Sequence, residues 1–487
     1  MNREQHSFAA PRWIRHRLIL AAVTTLSASA LAQPASMSWT NNCASCHGER
    51  AEGSDKAKSL LGVDKRSQDL DRPFYEMVRN GSKELPSHTF KELKDVDCWA
   101  VIVHLRELQD QARRKERDSV KREKGTFPGK YHTARVEDVI STNIETPWAV
   151  DFLPDGSMLV TEKAGRVRLW NSGTLSEPLK DTPPVRNRGQ GGLMDVAVHP
   201  DYASNGWVYL AFSDLYRDGS RGLGMTKVVR GKIKDGAWVD QQTIFEAKKE
   251  HYSSSDLHFG CRVVFSAPVA DGPDKGKRYV YWGIGERGTG PHAQDLTRPN
   301  GKVHRLWDDG SLPADNPFIS NEANYKSIYT YGNRNPQGLV IADDGTIYET
   351  EHGPRGGDEV NIITKGSNYG WPKVSFSINY SDMPLVMPWP AKEDNITMPV
   401  YRWLPSIAAC GLDVVRGSEF PKWKGDLLAG GLAGNTVRRV RVEQGKFVEE
   451  EDIFFGMGRV RDVVVGPDGS VYVALNNPDK IVRLRAK

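Results

Sequence analysis

The chain has 487 residues but only five cysteines, and only two of these lie close together. A disulfide framework is therefore not expected, and Cys98, Cys261 and Cys410 allow at most one incidental bridge. No second close pair and no Cys/His cluster is present to complete four zinc ligands. Long apolar runs are missing too. The stretch from Leu18 to Leu31 falls short of the roughly 20 residues a spanning helix needs. A large charge of either sign is also absent. The formal net charge is +4, of which Arg3, Arg12, Arg15 and Arg17 against Glu4 supply +3. What remains is near neutral and gives no footprint for nucleic acid.

Against these absences, the N-terminus carries a positive pattern. Basic residues precede the apolar stretch, and Ala30-Leu31-Ala32 fits a small-residue cleavage site with Gln33 as the first mature residue. Residues 1–32 are expected to be a signal peptide and the mature chain to be periplasmic, without a transmembrane segment; an uncleaved anchor is the alternative. Cys43-Ala44-Ser45-Cys46-His47 follows at once. A Cys-x-x-Cys-His run is the attachment signature of haem c: two thioethers to the porphyrin and an adjacent histidine for the iron. Cys43 and Cys46 are thus expected to hold the haem, with His47 on its iron. Bacterial haem c is attached outside the cytoplasm, which agrees with the leader.

Three regions follow. Residues 33–110 read as a small all-α cytochrome c domain, because Trp99, Ile102, Leu105 and Leu108 recur at helix-face spacing. Residues 111–130 are rich in mixed charge and read as a charged linker, with a docking patch for an acidic partner as the alternative. From 131 to 487 the pattern changes to short strands and tight turns. Leu153-Pro154-Asp155-Gly156-Ser157, Ala342-Asp343-Asp344-Gly345-Thr346 and Gly466-Pro467-Asp468-Gly469-Ser470 each feed an apolar strand. Asp-Gly turns that recur in this way over about 350 residues predict a β-propeller.

Several loops carry polar groups that strand packing does not require. These are Gly189-Gln190-Gly191-Gly192, Asp256-Leu257-His258, Gly332-Asn333-Arg334-Asn335, the Gly-rich acidic loop Glu351 to Glu359, and Arg459-Val460-Arg461. Singly each reads as a satisfied turn or surface pair. Together they offer a base, several cations and oxygen ligands for a hard metal.

The phrases GQGGLMDVAVHPDY, LHFGCRVVF, YGNRNPQGL, ETEHGPRGGDEVN, NYGWP and RVRDVVVGPDG, in that order, resemble those of the soluble PQQ-dependent glucose and aldose sugar dehydrogenases, over about residues 135–485. The N-terminal part is similar to the small c-type cytochrome modules fused to some members. The resemblance implies a six-bladed all-β propeller with PQQ and Ca²⁺ on one face. By the same resemblance, His258 is the general base, Gln190 positions substrate, and Arg334 and Asn335 lie at the cofactor. Arg459 and Arg461 pair with PQQ carboxylates, the carbonyls of Gly353 and Pro354 hold the cofactor's calcium, and Glu359 and Tyr369 match a second calcium position. Glu286 stands where the family usually has Asp, and could orient His258.

Two departures stand out. The family's PQQ lysine, in a phrase of the type GALKG, is replaced by Ala433, which leaves one cation missing unless Arg438 or Arg439 substitutes. Related cytochrome modules carry Met-Pro-Ser-His-Thr-Phe, whereas this chain has Leu85 in place of the methionine. Leucine cannot ligate iron, so the sixth position falls to His88, to Met77 or to neither. The expected function is a periplasmic quinohaemoprotein dehydrogenase. It oxidises an aldose or related alcohol by hydride transfer to PQQ, and passes the electrons through the haem to a soluble or membrane acceptor. The alternative is a non-catalytic propeller, a binding or electron-transfer module that has lost PQQ.

Overall fold

The computed structural model describes residues 33–86 and 88–487; the expected signal peptide lies outside the described residues. Strands from residue 126 onward form six sheets, which makes the large region a six-bladed β-propeller. Blades 1 to 5 are consecutive antiparallel four-stranded sheets spanning 147–175, 193–245, 263–331, 336–403 and 409–455. Blade 6 closes the ring with both ends of the chain. Thr133–Ile140 pairs with Lys480–Ala486, and Thr126–Pro128 adds a fifth strand outside it. This closure leaves the ring without a free seam.

The repeated Asp-Gly phrases are the turns between the first and second strands of blades 1, 4 and 6. In blade 1 the Asp155 carboxylate accepts the Ser157 N–H at 2.9 Å, and Gly156 takes the left-handed φ of +83° that this turn needs. Asp344 and Asp468 repeat the contact with Thr346 and Ser470.

First strands of neighbouring blades pack against one another, and buried carboxylates tie them together. Asp151 accepts the Val198 N–H of the next blade at 2.6 Å, Asp195 that of Val263 at 2.7 Å, Asp413 that of Val465 at 2.7 Å and Asp462 that of Val150 at 3.0 Å. Burial pushes Asp151 and Asp462 up to about 7. Arg262 spans two of these groups, 2.7 Å from Asp195 and 2.8 Å from Asp462, and so clamps blade 3 to blades 2 and 6.

Residues 33–119 carry four helices: α1 (Ala35–Asn42), α2 (Ala44–His47), α3 (Asp71–Asn80) and α4 (Asp95–Ser119). The stretch 111–130, expected as a charged linker, is divided between the last turns of α4 and the added strand of blade 6. Its charges are used in contacts: Arg113 and Arg117 reach Asp452 of blade 5 at 2.5 and 2.9 Å. The helical region packs on the excursion 371–404 of blade 4. Trp99 meets Phe376 and Trp389 edge-on, and Cys98, Trp99, Ile102 and Val103 share one apolar cluster with Phe376 and Ile378. Asp71 lies between Arg106 of α4 and Arg402 of the propeller, all three buried. Bidentate and doubly bridged pairs in a buried setting set orientation more than they add stability.

Candidate active site

A cavity of about 430 Å³ opens on the propeller, lined among others by Trp148, Lys163, Gln190, Asn335, Arg459 and Arg461. Four of the residues singled out in the sequence thus share one wall. His258 and Arg334 are not among its lining residues, but each adjoins one: His258 is hydrogen-bonded to Gln190, and Arg334 precedes Asn335 in the chain.

Gln190 reaches His258 because its loop is pressed flat. A Cβ on Gly189 would stand 2.4 Å from Asp256, and Gly189 has a φ of +56°. The Gln190 side-chain carbonyl accepts the His258 N–H at 2.7 Å. His258 itself has a φ of +51° and is only 7% exposed. Arg287 pins this strained turn by donating to the carbonyls of Leu257 and Ser255. Gly285 permits the opposite approach, since a Cβ there would meet the His258 carbonyl at 2.3 Å.

Glu286 lies 2.6 Å from Nδ1 of His258. The longer side chain makes the contact that the family's aspartate implies. With Nδ1–H donating to this carboxylate, Nε2 is left as the free acceptor. Burial lowers the His258 pKa below its ordinary value; the Glu286 contact works against that, and the Arg334 charge adds to it. The neutral imidazole therefore persists to lower pH than in a free histidine.

Arg334 donates through Nη1 to the carbonyls of His352 at 3.1 Å and Gly353 at 3.2 Å, while its backbone N–H bonds Glu351 at 2.5 Å. Its buried Nε has no partner among the described residues. Gly353 is a cradle that admits no side chain: a Cβ would meet the Gly356 carbonyl at 2.1 Å. Asn335 accepts from Gly260 N–H at 3.2 Å, tying blade 4 to the His258 segment. Cation chemistry dominates the far wall. Arg461 stacks 3.9 Å over Trp148, and among the described residues neither Arg459, Arg461 nor Lys163 is paired with a carboxylate.

Other expected groups lie elsewhere. Arg438 and Arg439 do not replace the missing lysine at Ala433: Arg438 is spent on Asp452 and Glu450, and Arg439 on Asp426, Glu449 and Glu451, all within blade 5 and its edge. As consecutive residues of one strand they point to opposite faces of blade 5, each onto its own acidic partners, and neither lines the cavity. Lys163, which the sequence reading passed over, is the lysine on the cavity wall; its Nζ donates to the Gly189 carbonyl at 2.7 Å. The only sequence signal was its place after a strand that follows an Asp-Gly turn. Glu359 shares the Asn361 amide with Glu349 and Glu351 at 3.0–3.4 Å, whereas the Tyr369 hydroxyl is used by the Ile362 carbonyl and Thr364 N–H. The three carboxylates meet at an amide nitrogen, and among the described residues no group of three His, Cys, Asp or Glu side chains is placed to hold a metal ion.

In the helical region, Cys43, Cys46 and His47 line one cavity of about 240 Å³, with Leu60, Phe74, Val101, Ile102 and Leu105 as apolar walls. Burial pushes the Cys43 thiol up to about 12. An apolar slot with two thiols and an imidazole on one side fits a covalently held porphyrin.

The Glucose / Sorbosone dehydrogenase family matches residues 144–483, most of the chain. The chain belongs to that family. It is an oxidoreductase of the glucose/sorbosone dehydrogenase family with an N-terminal extension, and residues 30–105 of that extension match the cytochrome c oxidase, cbb3-type, subunit III family. The aldose sugar dehydrogenase YliI of Escherichia coli is 38% identical over 351 residues, covering 70% of this chain and 90% of that protein. The apo crystal structure of the soluble Escherichia coli aldose sugar dehydrogenase matches with a TM-score of 0.66 at 36% identity, covering 73% of this chain and all of that one. The PQQ-bound aldose sugar dehydrogenase of Streptomyces coelicolor shares the fold at a TM-score of 0.57 and 24% identity, over 74% of this chain. The matched region covers blades 1 to 5 and the C-terminal strands of blade 6, and leaves the helical region and the strands Thr126–Pro128 and Thr133–Ile140 outside it.

Proposed function

We propose that this protein is a periplasmic, PQQ-dependent aldose dehydrogenase that hands its electrons to its own haem c. The observation that carries the reading is the wall shared by Gln190, Asn335, Lys163, Arg459 and Arg461, backed by the His258–Glu286 pair. Three cations without carboxylate partners, exposed Arg459 and half-buried Arg461 and Lys163, face one concavity whose lining carboxylate is Asp479, and a planar tricarboxylate quinone would answer that excess of positive charge. When bound, PQQ supplies the two-electron acceptor.

The residues of the chain do the rest. Arg459, Arg461 and Lys163 would hold carboxylates, Trp148 offers a flat apolar surface, and we assign Arg334 and Asn335 to the quinone end of the cofactor. Nε2 of His258 takes the proton from the sugar hydroxyl, and Glu286 keeps the ring in the required tautomer and stabilises the resulting charge. Gln190 holds the His258 backbone in place through its carbonyl, which leaves its NH₂ for substrate. The carbonyls of Gly353 and Pro354 are the calcium ligands we assign at the cofactor; Glu359 and Tyr369 remain the proposed second position, with Tyr369 limited to its backbone carbonyl.

Electron transfer to the haem is supported by the way the two regions meet. The loop bearing Gly353 and Pro354 continues into Arg355, which grips Glu107 of α4 through two contacts of 2.8 Å. Val101, Ile102 and Leu105 of the same helix line the porphyrin slot. Export is supported by the leader pattern and the haem c motif; no described helix is long and apolar enough to cross a membrane. The test is addition of PQQ and Ca²⁺ to purified haem-loaded protein, followed by an aldose panel. Haem reduction by at least one aldose is expected, and it should be lost in His258→Ala with the haem spectrum unchanged. If no sugar or alcohol reduces the haem, the non-catalytic reading replaces this one.

A further inference from the structure

The porphyrin slot holds a second imidazole. His88, in the loop between α3 and α4, lines it opposite His47 at the end of α2. Their ring centres are 6.1 Å apart and their planes stand at 84°. The buried Nδ1 of His88 has no hydrogen-bond partner among the described residues. Leu85, where related modules have methionine, is 52% exposed and brings no donor atom.

The spacing has a chemical meaning. An imidazole nitrogen binds a first-row metal at about 2.0 Å and the ring centre lies about 1.2 Å behind it, so two trans imidazoles on one ion have centres about 6.4 Å apart. Edge-to-face packing allows centres anywhere from about 4.5 to 7 Å, and the separation found lies where both rings reach one ion without either having to move far. Direct stacking would bring the centres closer, and a solvated surface histidine would not sit across the slot from the proximal ligand.

We propose that His88 is the sixth ligand of the haem iron, making this a bis-histidine cytochrome with nearly perpendicular axial rings. The inference rests on the haem c reading above. Met77 also lines the slot, from the face of α3 that carries Phe74 and Val78, and is the rival ligand. Two imidazoles hold the potential below that of Met/His ligation. They also close the iron to small ligands, so that electrons leave through the porphyrin edge.

The full haem-loaded chain serves for the test, by optical and EPR spectroscopy of the ferric state. The expected result is a low-spin iron without the long-wavelength sulfur-to-iron band, whose EPR spectrum is dominated by one low-field feature, as perpendicular axial rings give. His88→Ala should turn high-spin and return to low-spin on adding imidazole. Met77→Leu should leave the spectrum unchanged, and His88→Met should raise the potential. A sulfur-to-iron band in the unmodified protein, a high-spin ferric iron, or an unaltered spectrum in His88→Ala would overturn the proposal. Should His88→Ala fail to take up haem, the spectra of the unmodified protein and of Met77→Leu decide. Absence of covalently bound haem overturns the haem c reading as well, whereas bound haem whose spectrum depends on Met77 overturns only this one.

Discussion

At the scale of single residues, the proposed site depends on charges that have no carboxylate partner among the described residues. Lys163 is the clearest case, because it occupies the cavity wall while Ala433 stands at the family's lysine position. A charge-assisted contact contributes about 1.5–3 kcal/mol, so Lys163→Ala should weaken PQQ binding roughly 10- to 100-fold in a cofactor titration, with the haem spectrum intact. An unchanged titration would remove Lys163 from the cofactor site. His258 carries a second prediction. Its pKa is held below the ordinary value chiefly by burial and is partly restored by Glu286. The acid limb of kcat/KM should therefore fall below pH 6.5, the ordinary histidine value, with full activity above it. Glu286→Gln removes the group that raises the pKa, so the limb should move further toward acid while kcat falls. A limb that moves the other way would contradict the pairing.

At the scale of elements, two short segments position the chemistry. The Gly189–Gly192 turn works because it has no side chains where Asp256 and Lys163 come close; Gly189→Ala meets both a left-handed φ and a 2.4 Å clash. That substitution should displace Gln190 and reduce kcat/KM for the sugar without altering haem content. The loop from Gly353 to Arg355 joins the site to α4 through Glu107. Arg355 is one-third exposed and also pairs with Asp382 at 2.7 Å, so its loss should cost little stability. What Arg355→Ala should change is coupling: stopped-flow haem reduction by sugar slows, while sugar-dependent reduction of a small soluble dye is unaffected. Equal slowing of both would show that the loop acts only on the propeller site. The segment 111–119 makes a similar point. Read as sequence it is a solvated charge run, yet Asp452 is a shared partner for Arg113 and Arg117, and that partner is more than 300 positions away in the chain.

At the scale of the whole molecule, the propeller is closed by strand pairing at blade 6 and tied blade to blade by buried carboxylates. Arg262 bridges Asp195 and Asp462, and its charge works against the burial that raises the pKa of both carboxyls. Removing one partner of a buried ionic group costs about 3–5 kcal/mol, because the remaining charge is left uncompensated. Arg262→Leu should lower the denaturant midpoint of the propeller accordingly, and Asp195→Asn in the same background should recover part of the loss. A midpoint within error of the parent would show that the bridge contributes nothing net. Because Arg262 also donates to the Arg461 carbonyl at 3.2 Å, the same clamp fixes the strand that presents the cavity's cations.

The sequence by itself determined what is local. Cys43-Ala44-Ser45-Cys46-His47 places two thiols and an imidazole within one turn of chain, and Asp-Gly turns set the rhythm of strand and return. Both depend on neighbours a few residues apart, so they were legible directly; the family phrases extended this to the six blades. Tertiary structure alone decided which charges are free and which are used. Arg438 and Arg439 look available beside Ala433 but alternate along a strand onto acidic partners, and Lys163, outside every phrase that carries the family resemblance, comes to the wall of the cavity. It also decided that His88 faces His47. Ion pairing and coordination act through space over a few ångströms, and closing a propeller brings together residues whose separation along the chain carries no such information.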